Sequence, residues 1–139
     1  MKNWKYYLLW FAGVYNLLWG ASVIIAPKLF FNLSGMVLPN YLMIWQCVRM
    51  IVGVHRIIYI IAAYQPNVHW PIVLVGFLGK IFGPIGFLWY LAQGAFPPEF
   101  ALTILFNDLV WWIPFGIILW DAWKSGEVER TFSIESQKT

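Results

Sequence analysis

Four apolar stretches, each about 20 residues long, decide most of what this chain can become. A helix rising about 1.5 Å per residue needs that many residues to cross roughly 30 Å of hydrocarbon. The spans read as about 6–26, 41–64, 71–92 and 100–123. Backbone exposed to lipid must satisfy its own polar groups, which an open chain does by forming helices. The expected fold is therefore all-α: a polytopic membrane protein, with an antiparallel four-transmembrane-helix bundle over residues 1–123. A polar, mobile cytoplasmic tail is expected over residues 124–139.

Composition agrees, with 61% of residues hydrophobic and 11% charged, against about 25% charged in soluble domains. With so few charges outside the spans, the net charge of +3 speaks to topology and gives no nucleic-acid signal. Lys2, Lys5, Lys124, Arg130 and Lys138 collect on one side and Lys28 stands on the other, so the positive-inside rule puts both termini in the cytoplasm. The expected location is the bacterial inner (plasma) membrane. The first span follows a basic start, as a signal peptide would. It is too long for a typical signal core and lacks an A-x-A exit, so a retained helix is expected. Segment 27–40 reads as an apolar loop lying along the interface. Most of the ten tryptophans fall near span ends, where aromatic side chains anchor at the membrane surface.

Charges inside the spans mark the candidate site. Counting about 1.5 Å per residue places Arg49 and Asp108 at one depth, each about 12 Å from its outer span end. Arg56 and Lys80 share another, about 12–14 Å from the inner ends. Arg49 and Arg56 are two helical turns apart, hence on one face of span two, which must point inward to find partners. Lys80 sits in HWPIVLVGFLGKIFGPIGFLWY beside Gly76, Gly79, Gly83 and Gly86, a stripe that admits another helix or a second subunit. Three cations thus meet one intramembrane carboxylate. A desolvated lysine can shed its proton, but an arginine effectively cannot, so the surplus calls for an anionic or electron-rich ligand.

Arg49, Arg56, Lys80, Asn107 and Asp108 are the candidate ligand-binding residues, with Trp111 and Trp112 as ring partners for a flat conjugated group. The competing structural reading makes Arg49–Asp108 an ion pair that fixes helix register. Pro84 and Pro114 each free a backbone carbonyl, at Lys80 and Val110, as local acceptors. Asn16 is expected to hydrogen-bond to a neighbouring helix. His55 is the candidate proton carrier. The lone Cys47 excludes an internal disulfide and a Cys-based metal site, and no metal-ligand cluster, P-loop or nucleophile elbow is present.

The expected function is a binding or accessory component, rather than an enzyme, holding a quinone or an anionic lipid. No cofactor beyond a quinone is indicated. The alternatives are a small oligomeric transporter or channel for an anion or proton-coupled solute, and a subunit of a membrane redox enzyme. A homo-oligomer or a larger membrane complex fits all three. The segments AGVYNLLWGASVIIAPKLF, RMIVGVHRIIYIIA and GFLGKIFG resemble the DoxX-like group of small four-helix membrane proteins. That resemblance covers the first half of the chain. It implies the same bundle and, through members implicated in quinone-linked oxidation, a quinone as ligand.

Overall fold

The computed structural model describes residues 3–95 and 98–136. The described residues are helical throughout their regular structure, with no strand. Four stretches are long and apolar enough to cross a membrane: Trp4–Ile25, Leu42–Tyr64, Trp70–Ala92 and Ala101–Lys124. This is the makeup of a multi-pass integral membrane protein, and every span boundary falls within two residues of the sequence expectation. Lys2 and Lys138, used above for topology, lie outside the described residues.

Helix α1 (Trp4–Ile25) starts where Asn3 Oδ1 accepts the Tyr6 N–H at 3.3 Å, satisfying one of the orphan donors of a first turn. It stops before Pro27, whose ring disfavours helical geometry at the preceding residue; Ala26 has φ −129° and ψ 66°. Pro27 then occupies the first position of α2 (Pro27–Ser34), where a missing N–H is harmless. Gly35, at φ 65°, closes α2 with its N–H on Phe31 O, a left-handed cap that glycine adopts freely. Segment 27–40 is thus largely a helix, where a loop was expected. Its start and stop signals were both present in the sequence.

Two of the four spans are interrupted, each at a charged residue. Span two divides at Arg56 into α3 (Leu42–His55) and α4 (Ile57–Tyr64). Span three is one helix, α5 (Trp70–Ala92), with Pro84 inside it. Span four divides at Asp108 into α6 (Ala101–Asn107), a 3-10 turn over Leu109–Trp111, and α7 (Trp112–Lys124). Pro114 has no N–H for Val110 O, which accounts for the loss of regular helix just before it.

Helix α1 packs along α3 and α4, and α5 along α7. At the crossing of α1 and α3 a Cβ on Gly20 would lie 3.1 Å from Gly53 Cα, so these two glycines set how closely the backbones approach. Gln46 Nε2 donates to Ile24 O at 3.2 Å, satisfying a carbonyl in the last turn of α1. At the opposite end buried Lys5 meets Asp121 at 2.7 Å and donates to Asn67 Oδ1 at 3.0 Å. The start of α1, the loop after α4 and the end of α7 therefore meet there. Towards that end lies the packed core of Leu9, Ala12, Tyr59, Ala62, Ala63, Val73, Trp111, Phe115 and Ile118.

Most of the polar segment after α7 is helical. Glu127–Ser136 forms α8, and Trp70 Nε1 donates to Thr131 Oγ1 at 3.3 Å while Phe132 leans on the Trp70 ring. Too few apolar residues to fold alone still suffice when one turn docks on a neighbouring helix.

Candidate functional site

Past the core, the bundle opens. Asn16, Trp19 and Gly20 of α1 face Arg49, Gly53 and Arg56 across a polar cavity of about 280 Å³. Gly79, Lys80 and Gly83 of α5 and Thr103, Asn107 and Asp108 of span four close the other side. All five expected charged and amide residues, Arg49, Arg56, Lys80, Asn107 and Asp108, thus line one space.

The break in span four organises the acidic wall. Trp111 N–H bonds Asp108 O at 3.1 Å, one residue short of an α-helical bond, which leaves Asn107 O open. The Lys80 ammonium donates into that carbonyl and lies 3.2 Å from Asp108 Oδ1. Asn107 Nδ2 donates to the same carboxylate oxygen at 3.1 Å. Lys80 is 2% exposed and Asp108 6%, so the pair is desolvated and each charge answers the other. Gly83 makes room for it: a Cβ there would lie 3.1 Å from Asp108 Oδ2. The carbonyl that Pro84 frees, Lys80 O, takes the Trp112 indole N–H at 2.9 Å.

The partner of Asp108 is therefore Lys80, where depth along straight helices had matched it with Arg49. Arg49 instead places its guanidinium 4.1 Å over the Trp45 ring, a cation–π contact. Arg56 donates to the Tyr59 hydroxyl. The Tyr59 ring packs edge-on against Phe115 at 5.5 Å and against the bare backbone of Gly76, so Tyr59 joins the packed core to the polar cavity. Among the described residues, Arg49 Nε and Arg56 Nε are buried without a hydrogen-bond partner. Of the described acidic side chains, Asp108 alone lines the cavity, and Lys80 already holds it.

Other expectations give way to the geometry. Trp111 lies in the apolar core, stacked against Phe11 and edge-on to Phe115, and Trp112 is 38% exposed; neither lines the cavity. The 3-10 turn advances about 120° per residue against about 100° in an α-helix, which rotates both rings away from the Asn107–Asp108 face. The aromatic walls are Trp19 and Phe100, which share that face only in three dimensions. His55 is exposed on the outside of α3, its Nδ1 2.8 Å from Ile51 O, away from the cavity. Asn16 is buried but donates to Ala12 O of its own helix at 2.7 Å, not to a neighbour. The glycine stripe of α5 divides likewise: Gly76 and Gly83 receive Tyr59 and Asp108, while Gly79 and Gly86 have no described atom within 4 Å of a built Cβ. At Gly76 and Gly83 the nearest described neighbours are thus side chains and not the backbone of another helix.

Around the cavity mouth Phe30 gathers the aromatic residues, 6.1 Å from Trp19, 5.5 Å from Trp45 and 5.7 Å from Phe100. An apolar groove of about 400 Å³ continues from Trp19, Phe100 and Thr103 past Ser22, Ala26, Leu29 and Leu33. Among the described residues no cluster of His, Cys, Asp and Glu is placed to hold a metal ion. Comparison with protein-family models, curated proteins and solved structures returns no match.

Proposed function

We propose that this chain is a ligand-binding or accessory protein of the bacterial inner membrane, an antiparallel four-helix bundle with both termini in the cytoplasm. Its cavity receives an electron-rich or anionic amphiphile, a quinone or a lipid. One observation carries this reading. Two guanidinium groups line a cavity whose one carboxylate among the described residues is already held by Lys80, and each has a buried Nε with no hydrogen-bond partner. Leaving such donors unmet in a low-dielectric interior is costly, and an acceptor from a bound molecule relieves it. The resemblance to DoxX-like proteins belongs to the same proposal and favours a quinone among the candidates.

The test is a thermal-unfolding screen of the purified protein against quinones and anionic lipids. A ligand at about 100 times its Kd stabilises the folded state by about 2.7 kcal/mol. At least one class should raise the Tm of the wild type and leave Arg49→Gln unmoved. Equal shifts in both proteins, or no shift from any class, would sink the reading.

A further inference from the structure

Taking the proposed ligand-binding role as given, we infer that the ligand is a phosphate-bearing lipid, its phosphate between Arg49 and Arg56 and its hydrocarbon chain in the groove beyond Trp19 and Phe100. Two independent features of the structure support this: the charge of the cavity and the shape of the space joined to it.

Charge separates a phosphate from a quinone. Asp108 holds Lys80 and also acts on Arg49, but among the described residues three cations line the cavity against this one carboxylate, so positive charge is left in surplus. A quinone carbonyl accepts hydrogen bonds but brings no charge, so that surplus would remain uncompensated. A carboxylate brings one charge and a single edge of two oxygens. A phosphate presents oxygens in several directions and carries up to two charges, so it can engage both planar guanidinium forks at once. Arginine stacked on an aromatic ring, as Arg49 is on Trp45, keeps its N–H edge free for such a partner. The competing acceptor near Arg56 is the neutral Tyr59 hydroxyl, which does not cancel a charge.

Shape separates a lipid from a free anion. The apolar groove of about 400 Å³ adjoins the polar cavity: Trp19, Phe100 and Thr103 line both. Leu29, Leu33 and Leu102 along that groove are each more than half exposed, which in a membrane means facing lipid chains. A head in the cavity and a chain in the groove give one amphiphile a continuous site, and the chain can reach it laterally from the bilayer. A free phosphate would have no use for the groove.

The experiment uses the full chain in nanodiscs of zwitterionic phosphatidylcholine. Dioleoyl phosphatidate, dioleoyl phosphatidylglycerol, a long-chain quinone or inorganic phosphate is added in separate samples, and bound species are counted by native mass spectrometry. The wild type should retain one phosphatidate, and phosphatidylglycerol more weakly because its diester carries one charge fewer. Arg49→Gln and Arg56→Gln should each weaken retention at least about tenfold, the effect expected for a charged hydrogen bond. Arg49→Lys, which keeps the charge but loses the fork, should fall between. Ser22→Trp, which fills the groove and leaves both arginines in place, should also lose phosphatidate. Arginine-dependent retention of the quinone without phosphatidate would overturn this inference and leave the proposed function standing. Retention of no amphiphile, or retention indifferent to both arginines, would overturn both. Inorganic phosphate bound as tightly as phosphatidate, with Ser22→Trp without effect, would mean a free-anion site and refute the lipid.

Discussion

Replacing Lys80 by Met should do more than alter ligand binding; it should destabilise the bundle. Lys80 is fully enclosed, holds Asp108 at 3.2 Å and satisfies the backbone carbonyl that the break at Asp108 leaves open. Methionine nearly matches its length but carries neither charge nor donor. Asp108 would keep only the Asn107 amide, at 3.1 Å, and Asn107 O would lose its donor. Removing one member of a buried ion pair costs about 3–5 kcal/mol. A neutral interhelical hydrogen bond in a membrane averages only about 0.6 and reaches about 1.7 kcal/mol. The difference decides the expected size: a loss of about 3 kcal/mol or more, beyond what any single neutral bond could account for. Asp108→Asn should destabilise in the same direction, since it leaves the ammonium unanswered. The double variant should cost less than the two singles together, with a coupling of about 1–3 kcal/mol. Unfolding of the four proteins by denaturing detergent in mixed micelles, followed by circular dichroism, measures the cycle. Additivity to within about 0.5 kcal/mol would show that Lys80 and Asp108 do not act as a pair and refute the description of the acidic wall.

The glycines of α5 give an internal comparison. Gly76→Ala drives a methyl into the Tyr59 ring and should cost about 1–3 kcal/mol, whereas Gly86→Ala meets nothing within 4 Å and should be neutral or stabilising by up to about 1 kcal/mol; thermal melts of both in one detergent check the contrast. Trp112→Phe removes the donor to Lys80 O and should cost about 1 kcal/mol, and amide exchange around residues 80–84 should speed up relative to the rest of α5. Lys5→Met breaks its contact with an Asp121 side chain that is 39% exposed, so its effect should stay within about 1 kcal/mol, measured by the same unfolding titration.

How far the sequence carried the fold depends on the kind of signal involved. Span length and hydropathy are properties of 20-residue windows, and the spans came out within two residues at each end. The inward face of Arg49 and Arg56 was also legible, because lipid leaves a guanidinium no other choice. Contact partners were harder. Depth counting treats each span as one straight helix, but spans two and four break at Arg56 and Asp108. Each break shifts every later side chain, which is how Trp111 and Trp112 turned from the site and Lys80 came to face Asp108. Pro114 announced the second break; residues 55–57 contain neither Gly nor Pro, so nothing in the local sequence announced the first. Pro84 signals that Lys80 O is free, but the donor that it receives, the indole N–H of Trp112 32 residues on in another span, lies beyond any local pattern. Trp19 and Phe100 were missed for the same reason: they belong to the cavity only once α1 and span four are packed together. In α2 the fault was different, since Pro27 and Gly35 bracket a helix in plain view.

In the function proposed above, Arg49 and Arg56 hold an amphiphile inside the bundle. The most direct test is organic extraction of the protein as purified from cell membranes, with the released species quantified by mass spectrometry. The wild type should release one organic species in near-stoichiometric amount, and Arg49→Gln/Arg56→Gln should release less than about a tenth as much. Equal amounts from a folded double variant, or no specific species from the wild type, would contradict the account.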